Sequence, residues 1–235
     1  MLTSVAKYTS DFFNLFYPKV CLVCSRGLLT GENIVCFRCE SELPYTNNWN
    51  HLDNPLMKRF WGRLDLKGAA VLYHFHKGEG VQHLIHLLKY KGRKDVGEYI
   101  GKRFGYKLME PDSVIKNVDV IVPVPLHWKK LKQRGYNQCD YLAKGLAEVM
   151  NVDWKADALV RVKDNVSQTK MHKLDRWTNV AGIFEVADEQ LLKGKHVLLV
   201  DDVITTSATT EECLQTILKV PGTTVSFATI GVAER

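Results

Sequence analysis

The chain has 235 residues, of which 46% are hydrophobic, so it is long enough for one full core and a small appendage. No apolar stretch approaches the roughly 20 residues of a membrane span, and the segment from Met1 to Pro18 contains Lys7 and Asp11 without a long apolar core, which predicts no secretory signal and a cytoplasmic location. The formal net charge of +6 is a mild basic excess that is typical of a solvated surface, although its clustering leaves a polyanionic ligand open.

Four cysteines near the start of the chain have the spacing of a metal site. Cys21-Leu-Val-Cys24 is followed, after eleven residues, by Cys36-Phe-Arg-Cys39. Two such pairs fit one tetrahedral Zn²⁺, and four thiolates close its coordination sphere, so we predict a structural zinc. Two disulfides or an iron–sulfur centre are the alternatives.

A polar segment between Pro44 and Asn54 is typical of a linker. We therefore predict a zinc-binding segment over residues 1–50 and a second domain over residues 51–235.

The first elements of the second domain are a strand over 69–76 and an amphipathic helix over 81–90. A further helix over 96–109 carries Gly97, Gly101 and Gly105 at intervals of four residues, which predicts close packing against another helix.

A buried strand is predicted over 118–124, and a basic loop follows it before a helix that runs to about Met150. Arg and Lys at such a position neutralise a diphosphate or a nucleic-acid backbone, or belong to a solvated turn. The candidate contacts in this loop are Lys129, Lys130 and Arg134. Further basic residues are Lys89, Lys91, Arg93 and Lys94 in one cluster and Lys170, Lys173 and Arg176 in another, with Trp128, Tyr136 and Trp177 as aromatics able to stack on bases.

The last motif follows a strand over 197–200 that is apolar enough to be buried on both faces. Two carboxylates emerge from it at the crevice, where they suit ribose hydroxyls, and the hydroxyl-rich loop and the free N–H groups of a helix that starts near Thr209 or Thr210 suit a phosphate. Capping of the helix alone is the alternative. A strand over 224–232 follows. The residues of this sugar-phosphate cradle are Asp201, Asp202, Thr205, Thr206, Ser207, Ala208 and Thr209.

This loop resembles the phosphoribosyl diphosphate (PRPP) binding motif of type I phosphoribosyltransferases. One position departs from that motif, because Ser207 stands where the family usually has glycine, and its Cβ narrows the approach to a phosphate and disfavours positive φ.

The motifs together resemble the competence protein F family over essentially the whole chain. The resemblance rests on the cysteine pairs, Leu87-Leu-Lys-Tyr-Lys-Gly-Arg93, Ile121-Val-Pro-Val-Pro-Leu-His127, Arg134-Gly-Tyr-Asn-Gln138, Gln168 with Asn179-Val-Ala-Gly-Ile-Phe184, and the Asp201-Asp202 loop. It implies an α/β fold of the type I phosphoribosyltransferase kind, with a mainly parallel sheet flanked by helices and preceded by a small zinc-binding domain. It also implies a part in DNA uptake or utilisation during natural transformation, without specifying a reaction.

Two functions follow from these observations. The first is a protein that holds PRPP or a related phosphosugar and contacts single-stranded DNA, together with DNA-uptake partners. The second is a phosphoribosyltransferase that uses Mg²⁺ with PRPP and an acceptor the sequence does not identify.

Overall fold

A computed structural model describes residues 18–75, 80–162 and 182–233. The third basic cluster (Lys170, Lys173, Arg176), Trp177, and the motif residues Gln168 and 179–181 lie outside this part. The helices are α1 Phe37–Glu42, α2 Pro55–Lys58, α3 Gly80–Tyr90, α4 Lys94–Leu108, α5 Trp128–Arg134, α6 Gln138–Met150 and α7 Ala208–Leu218, with 3₁₀ turns at Asn48–Asn50 and Glu189–Leu191. The strands are β1 Leu66–Tyr73, β2 Val120–Pro123, β3 Asp153–Trp154, β4 Leu159–Arg161, β5 Phe184–Val186, β6 His196–Ile204 and β7 Thr224–Val232.

Five of the strands form one parallel sheet in the order β1-β7-β6-β2-β3. The central strands are buried along nearly their whole length, as their uninterrupted apolar runs require. Strands β4 and β5 form a separate antiparallel pair. The predicted fold class, a mainly parallel sheet flanked by helices, is confirmed.

Helices cover both faces of the sheet. The first core contains residues of α3, α4 and α6, and the second contains residues of α2 and α7. Alternate residues of β6 point to opposite faces of the sheet. Leu198 and Val200 lie in the first core, and Val197 and Leu199 lie in the second. None of the helices within the described ranges is long and apolar enough to cross a membrane.

Helices α4 and α6 pack at very short distance, as the glycine spacing predicts. A Cβ at Gly101 would overlap the carbonyl oxygen of Leu142 and would lie 2.9 Å from the Cα of Gly145. A Cβ at Gly97 or Gly105 would likewise lie within 2.8 Å of a side-chain atom of α6. The small residues therefore allow backbone to meet backbone, at a cost in helix propensity that the packing offsets.

The cysteine-bearing segment packs directly on this first core. Cys21, Cys36 and Trp49 are buried in the same cluster as the inner faces of α3 and α4. The Glu40 side chain on α1 accepts hydrogen bonds from the hydroxyls of Tyr45 and Tyr99, and it forms an ion pair with Arg103 at 3.2 Å. The boundary near residue 50 stays a prediction.

The order of the strands places a switch point between β6 and β2. From β6 the chain continues through α7 to β7 on one side, and from β2 it continues through α5 and α6 to β3 on the other. A crevice opens at the carboxyl ends of two strands whose connections leave in opposite directions. This geometry brings the loop after β2 and the loop after β6 together.

Candidate functional site

A cleft of about 260 Å³ lies at the switch point between β2 and β6. Its described lining contains four Lys or Arg side chains and two carboxylates, so it favours an anion. The charged lining residues are Lys89, Lys130, Arg134, Arg161, Asp201 and Asp202.

The sequence suggested that the two aspartates follow the strand. The structure places both of them inside β6, which extends from His196 to Ile204. Pairing of β6 with β2 ends at Val200, opposite Pro123, whereas pairing with β7 continues to Ile204. Asp201 and Asp202 therefore lie where β6 has lost one of its two neighbours. They reach the cleft because β2 is short.

Asp201 has a strongly perturbed environment. Its Oδ1 accepts the N–H of Asp202 at 2.8 Å and lies 3.5 Å from the Sγ of Cys139, a buried residue of α6. Burial, and after it the charge of Asp202, raise the pKa of Asp201 to about 7. This carboxyl can gain or lose a proton near neutral pH.

Asp202 is only 4% exposed, so it is more deeply buried than a crevice-facing carboxylate would be. Its Oδ2 forms an ion pair with the Nζ of Lys89 at 2.9 Å, and its Oδ1 accepts the N–H of Val203 at 2.5 Å. Lys89 comes from the last turn of α3, on the sheet face to which Asp202 points. The pair joins α3 to the floor of the cleft.

The loop after β6 supplies the hydroxyls that were predicted. Thr205, Thr206 and Thr209 line the cleft, whereas Ser207 and Ala208 are not among its described lining residues. Ser207 has φ −71° and ψ −7°, in the right-handed helical region, so serine carries no backbone strain here and glycine is not required.

The helix after this loop begins at Ala208, one or two residues before the predicted start. The N–H of Glu211 donates to the carbonyl of Ser207 at 2.7 Å. The backbone N–H groups before Glu211 belong to the first turn, where N–H groups have no carbonyl acceptor within the helix. The carboxylates of Glu211 and Glu212 have structural partners: Glu211 is paired with Arg63 at 2.6 Å, and Glu212 accepts the N–H of Gly182 at 2.6 Å.

The loop after β2 forms the opposite wall. His127 caps α5 by accepting the N–H of Lys129 at 3.2 Å, and none of the seven residues of α5 is buried. Lys130 and Arg134 line the cleft, whereas Lys129 lies with its Nζ 5.3 Å from the centre of the Trp128 ring. Lys130 and Arg134 of α5 therefore face the cleft, whereas Lys129 lies beside Trp128 and does not line it.

The motif Arg134-Gly-Tyr-Asn-Gln138 is largely structural. Gly135 ends α5 with φ 77°, a conformation that favours glycine. Tyr136 is 8% exposed and donates its hydroxyl to the carbonyl of Leu88, so it is not the exposed stacking residue that the sequence suggested. Asn137 caps α6 and donates to the carbonyl of Val124 at 3.1 Å, which fixes the loop to the helix.

The structure brings most of the predicted residues into one cleft. Seven of the ten candidate contacts line it: Asp201, Asp202, Thr205, Thr206, Thr209, Lys130 and Arg134. Sequence reasoning missed Arg161, Cys139 and the role of Lys89. The position of Lys89 at the basic end of an amphipathic helix was visible in the sequence, but its pairing with Asp202 depends on the tertiary fold.

The four N-terminal cysteines form the predicted cluster. Their sulfur atoms all lie within 4.8 Å of one another, and the Sγ atoms of Cys24 and Cys36 are 3.7 Å apart. Four thiolates at about 2.3 Å from a tetrahedral zinc ion would be about 3.8 Å apart. The cluster therefore has the dimensions of a zinc site.

Hydrogen bonds prepare part of this cluster for ionised sulfur. Burial acts to raise the pKa of the Cys21 thiol, but N–H donors that include those of Val23 and Cys36 lower it to about 6. Burial and the neighbouring sulfurs raise the pKa of Cys39. A divalent cation would offset the cost of ionising these thiols together, so the donor set fits such an ion.

Comparisons with known proteins extend these observations. No family model matches the chain. The chain is 28% identical over 203 residues to DNA utilization protein YhgH of Escherichia coli strain K12, covering 85% of this chain and 84% of that protein. It is 25% identical over 212 residues to Competence protein F of Haemophilus influenzae, covering 84% of this chain and 90% of that protein. The predicted resemblance to competence protein F is confirmed.

Two solved structures are similar to the chain at low sequence identity. One is the glutamine phosphoribosylpyrophosphate amidotransferase of B. subtilis in complex with ADP and GMP, with 18% identity, a TM-score of 0.42, and coverage of 61% of this chain and 30% of that one. Another is adenine phosphoribosyl transferase of Trypanosoma brucei in complex with AMP, pyrophosphate and ribose-5-phosphate, with 13% identity, a TM-score of 0.37, and coverage of 65% of this chain and 68% of that one.

Proposed function

We propose that the chain binds PRPP or a related phosphosugar in the cleft between β2 and β6, and that this binding serves a role in DNA uptake or utilisation. One observation carries the proposal: the cleft unites the two aspartates of β6 and three threonines that follow it with Lys130 and Arg134 of α5. Hydroxyls and helix N–H groups suit a 5-phosphate, carboxylates suit sugar hydroxyls, and the facing cations suit a second phosphate.

The charge of the cleft supports an anionic ligand in spite of its two carboxylates. Lys89 neutralises Asp202 through the 2.9 Å ion pair, and the raised pKa of Asp201 leaves that group partly protonated near neutral pH. The remaining lining cations then dominate the potential that a phosphate meets.

The DNA-related part of the proposal is supported by two relatives whose names are DNA utilization protein and Competence protein F. It is supported also by α5, which exposes Trp128 by 52% and Leu131 by 43% among several lysines. Cations that follow a backbone, with an aromatic ring on which a base stacks, are what single-stranded DNA requires. Affinity for such DNA should fall steeply as salt rises.

Two ions complete the proposal. The four cysteines hold a structural Zn²⁺, which stabilises the segment that packs on α3 and α4. Mg²⁺ accompanies PRPP as the counterion of its diphosphate.

A phosphoribosyltransferase is the alternative function. It is favoured by Asp201, whose pKa of about 7 is suited to proton transfer at neutral pH. In that case a nitrogen nucleophile would displace diphosphate from PRPP.

Calorimetric titration of the zinc-loaded full chain with PRPP and Mg²⁺, followed by an assay for diphosphate release on the same sample, tests these proposals. Binding without release supports a phosphosugar-binding protein. Release in the presence of an acceptor supports the enzyme. Absence of any binding heat, together with no competition by PRPP in a DNA-binding assay, would overturn the phosphosugar proposal.

A further inference from the structure

A second, smaller cavity opens beside the cleft. It has a volume of about 140 Å³, and its described lining is Lys89, Tyr90, Gly92, Gln133, Arg134 and Tyr136. Lys89 and Arg134 also line the cleft, so two cationic side chains stand at the boundary between the two cavities. The two cavities are therefore adjacent, and together they define a path from the loop after β6 to the end of α3.

The smaller cavity contains an exposed aromatic platform. Tyr90 is 61% exposed at the end of α3, and its ring centre lies 5.2 Å from the guanidinium of Arg134 and 5.2 Å from the ring centre of His86. An aromatic ring beside an arginine is an arrangement on which nucleic-acid bases stack. Gly92 follows with φ 69°, and a Cβ placed on it would have no described neighbour within 4 Å, so the space beside this residue is open.

A phosphosugar by itself leaves this second cavity unused, because PRPP has no aromatic ring. A ligand that fits both cavities carries a sugar phosphate at one end, then a further anionic group at the position of Arg134, and then a flat aromatic group over Tyr90. The 5′-phosphorylated end of a single-stranded nucleic acid has these groups in that order.

We propose that the path from the cleft to Tyr90 binds the 5′-phosphorylated end of a single-stranded nucleic acid. The proposal rests on the proposed function, since the terminal sugar phosphate occupies the same cradle. The terminal 5′-phosphate lies at the Thr205–Thr209 segment, the next phosphate at Arg134, and a following base on Tyr90. The exposed lysines of α5 attract the rest of the strand without sequence preference.

Fluorescence anisotropy with two ten-nucleotide DNAs of one sequence tests the proposal. Both carry a dye at the 3′ end, and one has a 5′-phosphate where the other has a 5′-hydroxyl. The zinc-loaded full chain should bind the phosphorylated DNA about tenfold more tightly or better, because one end phosphate gains charge-assisted hydrogen bonds. PRPP should abolish that difference by competition. Equal affinities for the two DNAs would overturn the proposal.

Two tyrosine variants separate this path from general DNA affinity. Tyr90→Leu should weaken binding of the phosphorylated DNA about tenfold through loss of base stacking. Tyr106→Leu removes a tyrosine of α4 that is equally exposed, at 59%, and lines neither cavity, so it should leave binding unchanged. Equal losses in the two variants would contradict the path, and circular dichroism verifies that both variants fold.

Calorimetry with PRPP on the unmodified chain distinguishes failure of the strand-end site from failure of the phosphosugar site. Binding of PRPP with no preference for a 5′-phosphate would refute the strand-end proposal and leave the phosphosugar site standing. Failure to bind either ligand would refute both.

Discussion

Replacement of Lys89 by methionine should destabilise the protein in a manner that depends on pH. Lys89 and Asp202 form an ion pair at 2.9 Å, with side chains only 19% and 6% exposed. Methionine preserves the length and the apolar stem of the side chain but removes the charge. Asp202 would then be left as a buried carboxylate without its cation.

The magnitude follows from two limits. Removing one partner of a buried pair costs about 3–5 kcal/mol when the other charge stays. The carboxylate can instead take up a proton, and because an aspartate of an unfolded chain has a pKa of about 3.9, this costs about 4 kcal/mol at pH 7 and about 1.5 kcal/mol at pH 5. The expected loss is therefore at most about 4 kcal/mol at pH 7, and smaller at pH 5.

Proton binding by the folded and unfolded states sets the direction of this pH dependence. In the variant, the folded state holds a proton that the unfolded state releases above about pH 4, so stability falls as pH rises. Asp201, Cys139 and Lys89 are the groups that bear on this site, and Asp201 contributes in the same direction in the unmodified chain because its pKa is raised.

Urea unfolding of a double-mutant cycle measures the effect. The cycle comprises Lys89→Met, Asp202→Asn and the double variant at pH 5 and pH 7, with Lys91→Met as a control at an exposed lysine two residues along the chain. We expect a coupling of about 2 kcal/mol or more at pH 7 and substantial recovery in the double variant. A coupling below about 0.5 kcal/mol, the level of an exposed ion pair, would refute the reasoning.

Four further predictions concern other parts of the structure. Lys130→Ala should weaken PRPP binding about tenfold in calorimetry while Lys129→Ala changes it less than about twofold, since only Lys130 lines the cleft; equal losses would contradict this. Ser207→Gly should leave PRPP affinity within about twofold and cost a few tenths of a kcal/mol in urea unfolding, whereas tenfold tighter binding would mean that the Cβ obstructs the phosphate. Cys36→Ser should release the metal in elemental analysis and lower the melting temperature of the whole chain, because the cysteine segment shares a core with α3 and α4; full metal occupancy would argue against a four-cysteine site. Gly101→Ala should destabilise the fold by about 2 kcal/mol or more in urea unfolding through overlap with α6, and a neutral result would mean that the helices can separate.

The sequence motifs indicated which segments form the candidate site, but not the role of each residue within them. In Arg134-Gly-Tyr-Asn-Gln138, only the arginine and the glutamine line the cleft, while Gly135 ends a helix and Asn137 caps the next. The carboxylates of Glu211 and Glu212, near the start of α7, are bound by Arg63 and by the N–H of Gly182, two partners that no local pattern could have identified.

The sequence by itself predicted the buried strands, the cysteine cluster and the loop after β6, because apolar period, ligand spacing and turn chemistry are local properties, and its resemblance to the competence protein F family implied the mainly parallel sheet. Only the tertiary structure decided that β2 ends before Asp201, so that the two aspartates reach the cleft from within a strand. It also decided that Lys89 neutralises Asp202, since that contact joins a helix and a strand on the same face of the sheet. Burial and ion pairing depend on contacts between helices and strands that are far apart in the chain, and local sequence patterns do not specify those contacts.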